Sequence, residues 1–314
     1  MKGYKGFYPG LICEPDSEHK KQYAENTVYE EDKAECCRSG MHFCQYPLNV
    51  FSYYPPVTGR GVSEYAEVEA LDKPVTDDEE NYYSKKLKIS NRVNINALVW
   101  KSIEYLENYF PQLVKNTGFV CNSKLTTASN HSLSIAEDKN SYVATLGDYS
   151  VANARNICSK ANAIGKYSAA FADGYRSVAE ANGLKSVALA EGYRTEATST
   201  GNNSAAITYG HQSVATSMGK SSISITQLEQ SISIVTGNMS LASAEGEDSI
   251  ALAIGFEGKA KGALGCYIVL AEWTAEDDEL NRKIKTVKCH KVDGKTVKPD
   301  TWYMLKNGKF TEVK

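Results

Sequence analysis

The residues with the most chemical character stand close together near the N-terminus, in Cys36-Cys37-Arg38-Ser39-Gly40-Met41-His42-Phe43-Cys44. Thiolate and imidazole are the groups zinc prefers, so Cys37, His42 and Cys44, joined by Cys13 from the preceding strand region, could form a Cys₃His set. A cysteine beside a histidine could also be a nucleophile, although no acid nearby has a spacing that would orient the imidazole. The spacing departs from the Cys-x₂-Cys knuckle. The plainest expectation is therefore buried structural thiols with a hydrogen-bonded histidine and no cofactor, with zinc as the alternative. Eight cysteines in 314 residues are too few for a disulfide scaffold, which points to free thiols in a reducing compartment.

Positioning these groups falls to residues 1–119, which are rich in tyrosine and hold most of the prolines. Their pattern predicts a compact α+β module. Strands are expected over Gly3–Tyr8, Gly40–Cys44, Tyr65–Leu71 and Lys85–Ile89, with a short helix from Leu48 stopped by Pro55-Pro56. Asn94 is placed to cap a helix running to about Tyr109, because Ile95, Leu98, Val99, Ile103 and Leu106 form one apolar stripe.

Residues 120–272 are of a different kind. Glycine recurs at 147, 165, 174, 183, 192, 201, 210, 219, 237, 246 and 255, always nine or eighteen residues apart. Counting each glycine as position 1, position 4 is serine or threonine from Ser150 to Ser249, and position 6 is alanine or serine from Ala152 to Ala260. Positions 4, 6 and 8 are small, whereas positions 5, 7 and 9 mix Val, Ile and Leu with charged residues such as Lys160, Glu180 and Glu196. That alternation is a strand with a thin, small-residue interior and an outward face that keeps its charges in water. Glycine supplies the turn, through a positive φ or a close backbone approach. One nonamer is then one strand and one turn. Two nonamers close a coil of about 18 residues, giving a parallel β-solenoid (β-roll) with two sheets and a stack on the order of 40 Å.

Alternate nonamers must lie on opposite sheets. Val187, Leu189, Ile207, Ile223 and Ile225 share one outer face, while Glu180, Glu196, Thr198 and Thr216 share the other. An apolar outer face is expensive to leave in water. This one is expected to serve as a self-association interface, making a dimer or trimer, or to be covered by a terminal domain, with a substrate groove as the third alternative. Only Asp138, Asp148, Asp173 and Asp248 occur in the array and they share no phase, which argues against repeated calcium sites. The Thr198–Thr216 column continues into Ile234 and Leu252, unlike the threonine rows of an ice-binding surface. Residues 273–314 carry two hairpin signals, Asp293-Gly294 and Asn307-Gly308, and predict a C-terminal β-hairpin cap.

Two resemblances add to this reading. Tyr4-Lys5-Gly6-Phe7, Gln22-Tyr23, Tyr29, Gly40-Met41-His42-Phe43-Cys44, Pro47-Leu48 and Tyr53-Tyr54-Pro55 resemble an uncharacterised domain of unknown function of phage and gut-bacterial proteins. That resemblance implies a phage or mobile-element origin, hence the cytoplasm of a bacterial host or a virion. The Ser186-Val187-Ala188 and Ser177-Val178-Ala179 pattern resembles the β-roll heads of trimeric autotransporter adhesins, which implies homo-oligomers. The order of a tyrosine-bearing first strand, the Gly-Met-His-Phe-Cys segment and a helix ending in Tyr53-Tyr54 also looks like the NAD-pocket region of ADP-ribosyltransferases. That likeness implies NAD as cofactor, Tyr4 and His42 near the nicotinamide, and Glu67 or Glu69 as the glutamate that stabilises an oxocarbenium-like ribose.

Composition bounds the remaining classes. The chain is 42% hydrophobic and 23% charged with a net charge of −3, split as −4, −2 and +3 over residues 1–119, 120–272 and 273–314. General nucleic-acid binding and DNA mimicry both need a larger excess of one sign. No apolar run approaches the roughly 20 residues of a membrane span, and Met1-Lys2-Gly3-Tyr4-Lys5-Gly6 has no apolar stretch after its lysines, so no membrane partner and no cleaved signal are expected.

Overall fold

A computed structural model describes residues 1–14, 20–35, 39–58, 60–76, 80–109, 114–116, 124–274 and 282–313. The chain divides into two compact units, Met1–Gln112 and Leu113–Lys314.

The first unit is a six-stranded antiparallel sheet. Its order is Thr27–Glu30, Lys86–Val93, Glu64–Ala70, Lys2–Phe7, Met41–Cys44 and Asn81–Ser84. Alternation sets the central strand, where Tyr65, Val68 and Ala70 are buried and Glu64, Glu67 and Glu69 are half-exposed. The four expected strands are present. The two edge strands, Thr27–Glu30 and Asn81–Ser84, were not anticipated. Each has only four residues and neither presents an apolar alternation, so a sequence pattern has little to detect. A 3₁₀ turn, Pro47–Asn49, leads into the helix Val50–Tyr53, which ends ahead of Pro55-Pro56. The helix Ile95–Tyr109 starts as expected, with the Ala97 N–H donating to Asn94 Oδ1 at 2.8 Å, and Leu98, Val99, Ile103 and Leu106 are buried.

The second unit is a parallel β-solenoid of about eight coils with two sheets. Its parallel pairs join residue i to residue i+18, as in Val187 with Ala205 and Glu196 with Val214. Ala152, Ala161, Ala170, Ala179, Ala188 and Ala197 fill the interior without exposure. A serine at position 4 sits buried at most corners, with Thr195 at one of them. There the Ser186 N–H donates to Ser204 Oγ at 3.0 Å, and Ser204 Oγ donates to the Gly183 carbonyl at 3.1 Å. The same bonds recur along both edges, as at Ser168, Ser213 and Ser231. Corner backbone groups that no strand pairing reaches are thus satisfied from the next coil, which explains why the position demands a hydroxyl.

The structure decides between the two roles offered for glycine. The left-handed φ falls at position 3, on residues such as Tyr149, Lys185 and Asn203, rather than on most of the glycines. Gly183 is needed because a Cβ there would collide with the Gly165 carbonyl one coil below. Close approach of stacked backbones is the reason for the repeat.

Two features go beyond what the repeat predicts, and one expectation needs correction. Val187 and Leu189 are fully buried, Ile207 is 3% and Ile223 1% exposed, and Ile225 is half-buried, so the apolar face they share is withdrawn from solvent within the chain. Burying a row of branched side chains is favourable, and on this sheet the fold does so. The last coil is one residue short, since Ile250 pairs with Tyr267, and Cys266 occupies the corner with its thiol donating to the Gly246 carbonyl at 3.0 Å. Asp293-Gly294 does not join two strands. Asp293 Oδ1 instead accepts from the N–H groups of Lys295, Thr296 and Val297, and these bonds hold its carboxyl at about 2, below the usual range.

The C-terminal cap is otherwise as anticipated. Tyr303–Lys306 and Lys309–Glu312 form a hairpin through Asn307-Gly308, both at positive φ, and Tyr303 pairs antiparallel with Ala260 of the last coil on that sheet. Ile284–Lys291 closes the other sheet, antiparallel to Tyr267–Trp273.

Candidate functional site

Within the first unit, one polar cleft of about 640 Å³ gathers most of the chemically capable side chains. Strand register builds its floor. Tyr4 lies directly across from Glu67, Lys2 across from Glu69, and Glu69 across from Lys88, so these five residues share one face of the sheet. The helix Ile95–Tyr109 supplies Lys101, Glu104, Tyr105 and Tyr109 from its polar side. Lys101 Nζ meets Glu67 Oε1 at 2.9 Å. Tyr105 stacks on Tyr109 with ring centres 4.5 Å apart.

The electrostatics follow from this layout. Burial raises the Tyr4 phenol above its ordinary value, opposed by the Lys101 ammonium and reinforced by Glu67 and Glu104. The hydrogen bond to Glu67 raises Lys101 and keeps it charged. The cleft thus presents charges of both signs beside phenol rings. Such a site can hold a polar ligand carrying charges of both signs, with the Glu67 carboxyl beside the Lys101 ammonium on its floor.

Of the four residues expected near an NAD pocket, Tyr4, Glu67 and Glu69 line this cleft and His42 does not. The His42 ring lies 5.4 Å from Tyr53 and 6.4 Å from Tyr83, centre to centre. The nearby Lys5 ammonium, with burial second, lowers its pKa to about 3, so the ring is neutral near pH 7. Lys5 is itself buried, with Nζ donating to the His42 carbonyl at 2.7 Å and lying 5.8 Å from both the Phe7 and Tyr23 ring centres.

The zinc set does not come together among the described residues. Cys13 Sγ accepts from the Tyr54 hydroxyl at 3.3 Å and faces the Gly6 carbonyl, while the Cys44 thiol donates to Asn81 Oδ1 at 3.5 Å. Cys37 lies outside the described residues, and no group of three metal-ligating side chains occurs among them. Sequence reasoning missed Lys2, Lys88, Lys101 and Glu104. Lys101 and Glu104 carry a local signal, since residues three apart share a helix face, but nothing local marks that face as a cleft wall.

The fold and the cleft together define a protein with a small mixed β/α domain followed by a parallel β-solenoid. Residues 1–101 match the family model described as Domain of unknown function (DUF7666), so the chain carries an N-terminal domain of that family. No curated protein and no solved structure matches the chain.

Proposed function

We propose that this is a structural or interaction protein, associated with a phage or mobile element, in which a self-assembling β-solenoid serves as a rigid scaffold carrying the N-terminal domain. The observation that carries this reading is the 18-residue register kept by every coil before the last, tied coil to coil by buried hydroxyls. A stack this regular is stiff, which suits a spacer or assembly element. The resemblance to adhesin β-roll heads supports assembly through a solenoid sheet, and the resemblance of the N-terminal domain to phage and gut-bacterial proteins supports a bacterial cytoplasm or a virion as its setting.

Tyr4, Glu67 and Glu69 on one cleft favour a second reading, an NAD-dependent ADP-ribosyltransferase in the N-terminal domain. Incubation with labelled NAD and candidate protein substrates separates the two. Labelling that disappears in Glu67→Ala or Glu69→Ala would establish the enzyme. No labelling by a folded protein that self-associates in solution is the outcome expected for the scaffold.

A further inference from the structure

The outer face of the ten-stranded solenoid sheet is where the unspent apolar surface lies. One column along it runs Glu196, Val214, Ile232, Ile250, Tyr267 and Lys291, each residue paired with the next. Beside it runs a second column, Thr198, Thr216, Ile234, Leu252, Val269 and Cys289. None of these side chains is buried. Tyr267 is 44% exposed, and Glu196, Cys289 and Lys291 are exposed as well. The patch therefore presents branched apolar side chains to water, with a carboxylate at one end and an ammonium at the other. Glu196 has no ion pair among the described residues, and Lys291 Nζ rests 6.0 Å from the Tyr267 ring centre.

We propose that this face binds a second copy of the same chain, with the two solenoids running antiparallel. This deepens the scaffold reading and rests on it. The two columns are self-complementary. A two-fold axis parallel to the strands, midway between Ile232–Val235 and Ile250–Ala253, places each Glu196 opposite Lys291 of the second copy. It places Val214 opposite Tyr267 and Ile232 opposite Ile250. In the second column Ile234 meets Leu252 and Thr216 meets Val269. Face-to-face sheets pack about 10 Å apart, a gap two apolar layers fill and that a glutamate and a lysine span together. Charge pairing at both ends sets the register and disfavours the parallel arrangement, which would gather both Glu196 side chains at one end and both Lys291 side chains at the other. Six strands about 4.8 Å apart and two side-chain columns wide cover about 400 Å² per copy, about 800 Å² in total, which is small for a stable dimer. The dimer is weak and reversible, and is visible at high protein concentration.

Sedimentation velocity on the full chain, from about 1 μM to about 1 mM, tests this. The wild type is expected to move from monomer to dimer across that range. Glu196→Lys and Lys291→Glu, both surface changes, are each expected to weaken dimerisation about tenfold or more, and the double variant Glu196→Lys/Lys291→Glu to restore it to within about threefold. Circular dichroism confirms that all four proteins are folded. A wild type that associates with no response to either single swap would overturn this face while leaving self-assembly standing. A wild type that stays monomeric throughout would overturn both, and the face would then belong to an unrelated partner.

Discussion

A single hydroxyl shows how strictly the solenoid specifies its residues. Ser186 Oγ accepts the Ser168 N–H and donates to the Gly165 carbonyl, so Ser186→Ala leaves two buried backbone groups without partners. The expected loss is about 1–3 kcal/mol, measured by urea unfolding. At His42 the physics is electrostatic. The unfolded ring takes up its proton near 6.5 and the folded ring only near about 3, because of Lys5 and burial. Between those values the unfolded state binds more protons, so this group's contribution is fully present above pH 6.5 and declines as pH falls toward 3. NMR of the folded chain should show a His42 ring that does not titrate above pH 5, and His42→Gln should flatten this part of the acid limb. A His42 midpoint near 6.5 would refute the account. The thiols Cys13 and Cys44 were readable as residue types, but their partners, Tyr54 and Asn81, lie 41 and 37 residues away and leave no trace in the local pattern.

At the scale of elements, legibility tracked how local the determining interactions are. The helix Ile95–Tyr109 was readable because its cap and its apolar stripe are both written within a few residues. Asn94→Ala is accordingly expected to lower stability by about 1 kcal/mol, measured by thermal unfolding, while Asn94→Asp should be nearly neutral. The strands Thr27–Glu30 and Asn81–Ser84 were not readable, since only pairing with Lys86–Val93 and Met41–Cys44 makes them strands. The cleft has the same origin. Lys2, Glu69 and Lys88 are far apart in sequence and become neighbours solely through the order of the sheet. Asp293-Gly294 shows the converse error, a strong local turn signal whose hydrogen bonds close a compact loop with no strand pair to join.

For the molecule as a whole, the solenoid must stop its own growth, and the antiparallel strands at its C-terminal end do this. Ending the chain before Trp302 removes the hairpin Tyr303–Glu312 and uncovers the Lys259–Gly262 edge, leaving a row of unpaired backbone groups. Such a truncation is expected to form higher-order aggregates on size-exclusion chromatography where the full chain does not. The amino-acid sequence by itself determined the coil length, the alternation of small interior and larger exterior side chains, and the serine corners, because every coil repeats the same environment and so writes the same residues nine apart. Only the tertiary structure decided which outer face is withdrawn from solvent, that close approach rather than φ requires the glycines, that the final coil is one residue short, and which charges meet in the cleft. Each of these depends on contacts between segments far apart along the chain, and a one-dimensional period carries no information about them.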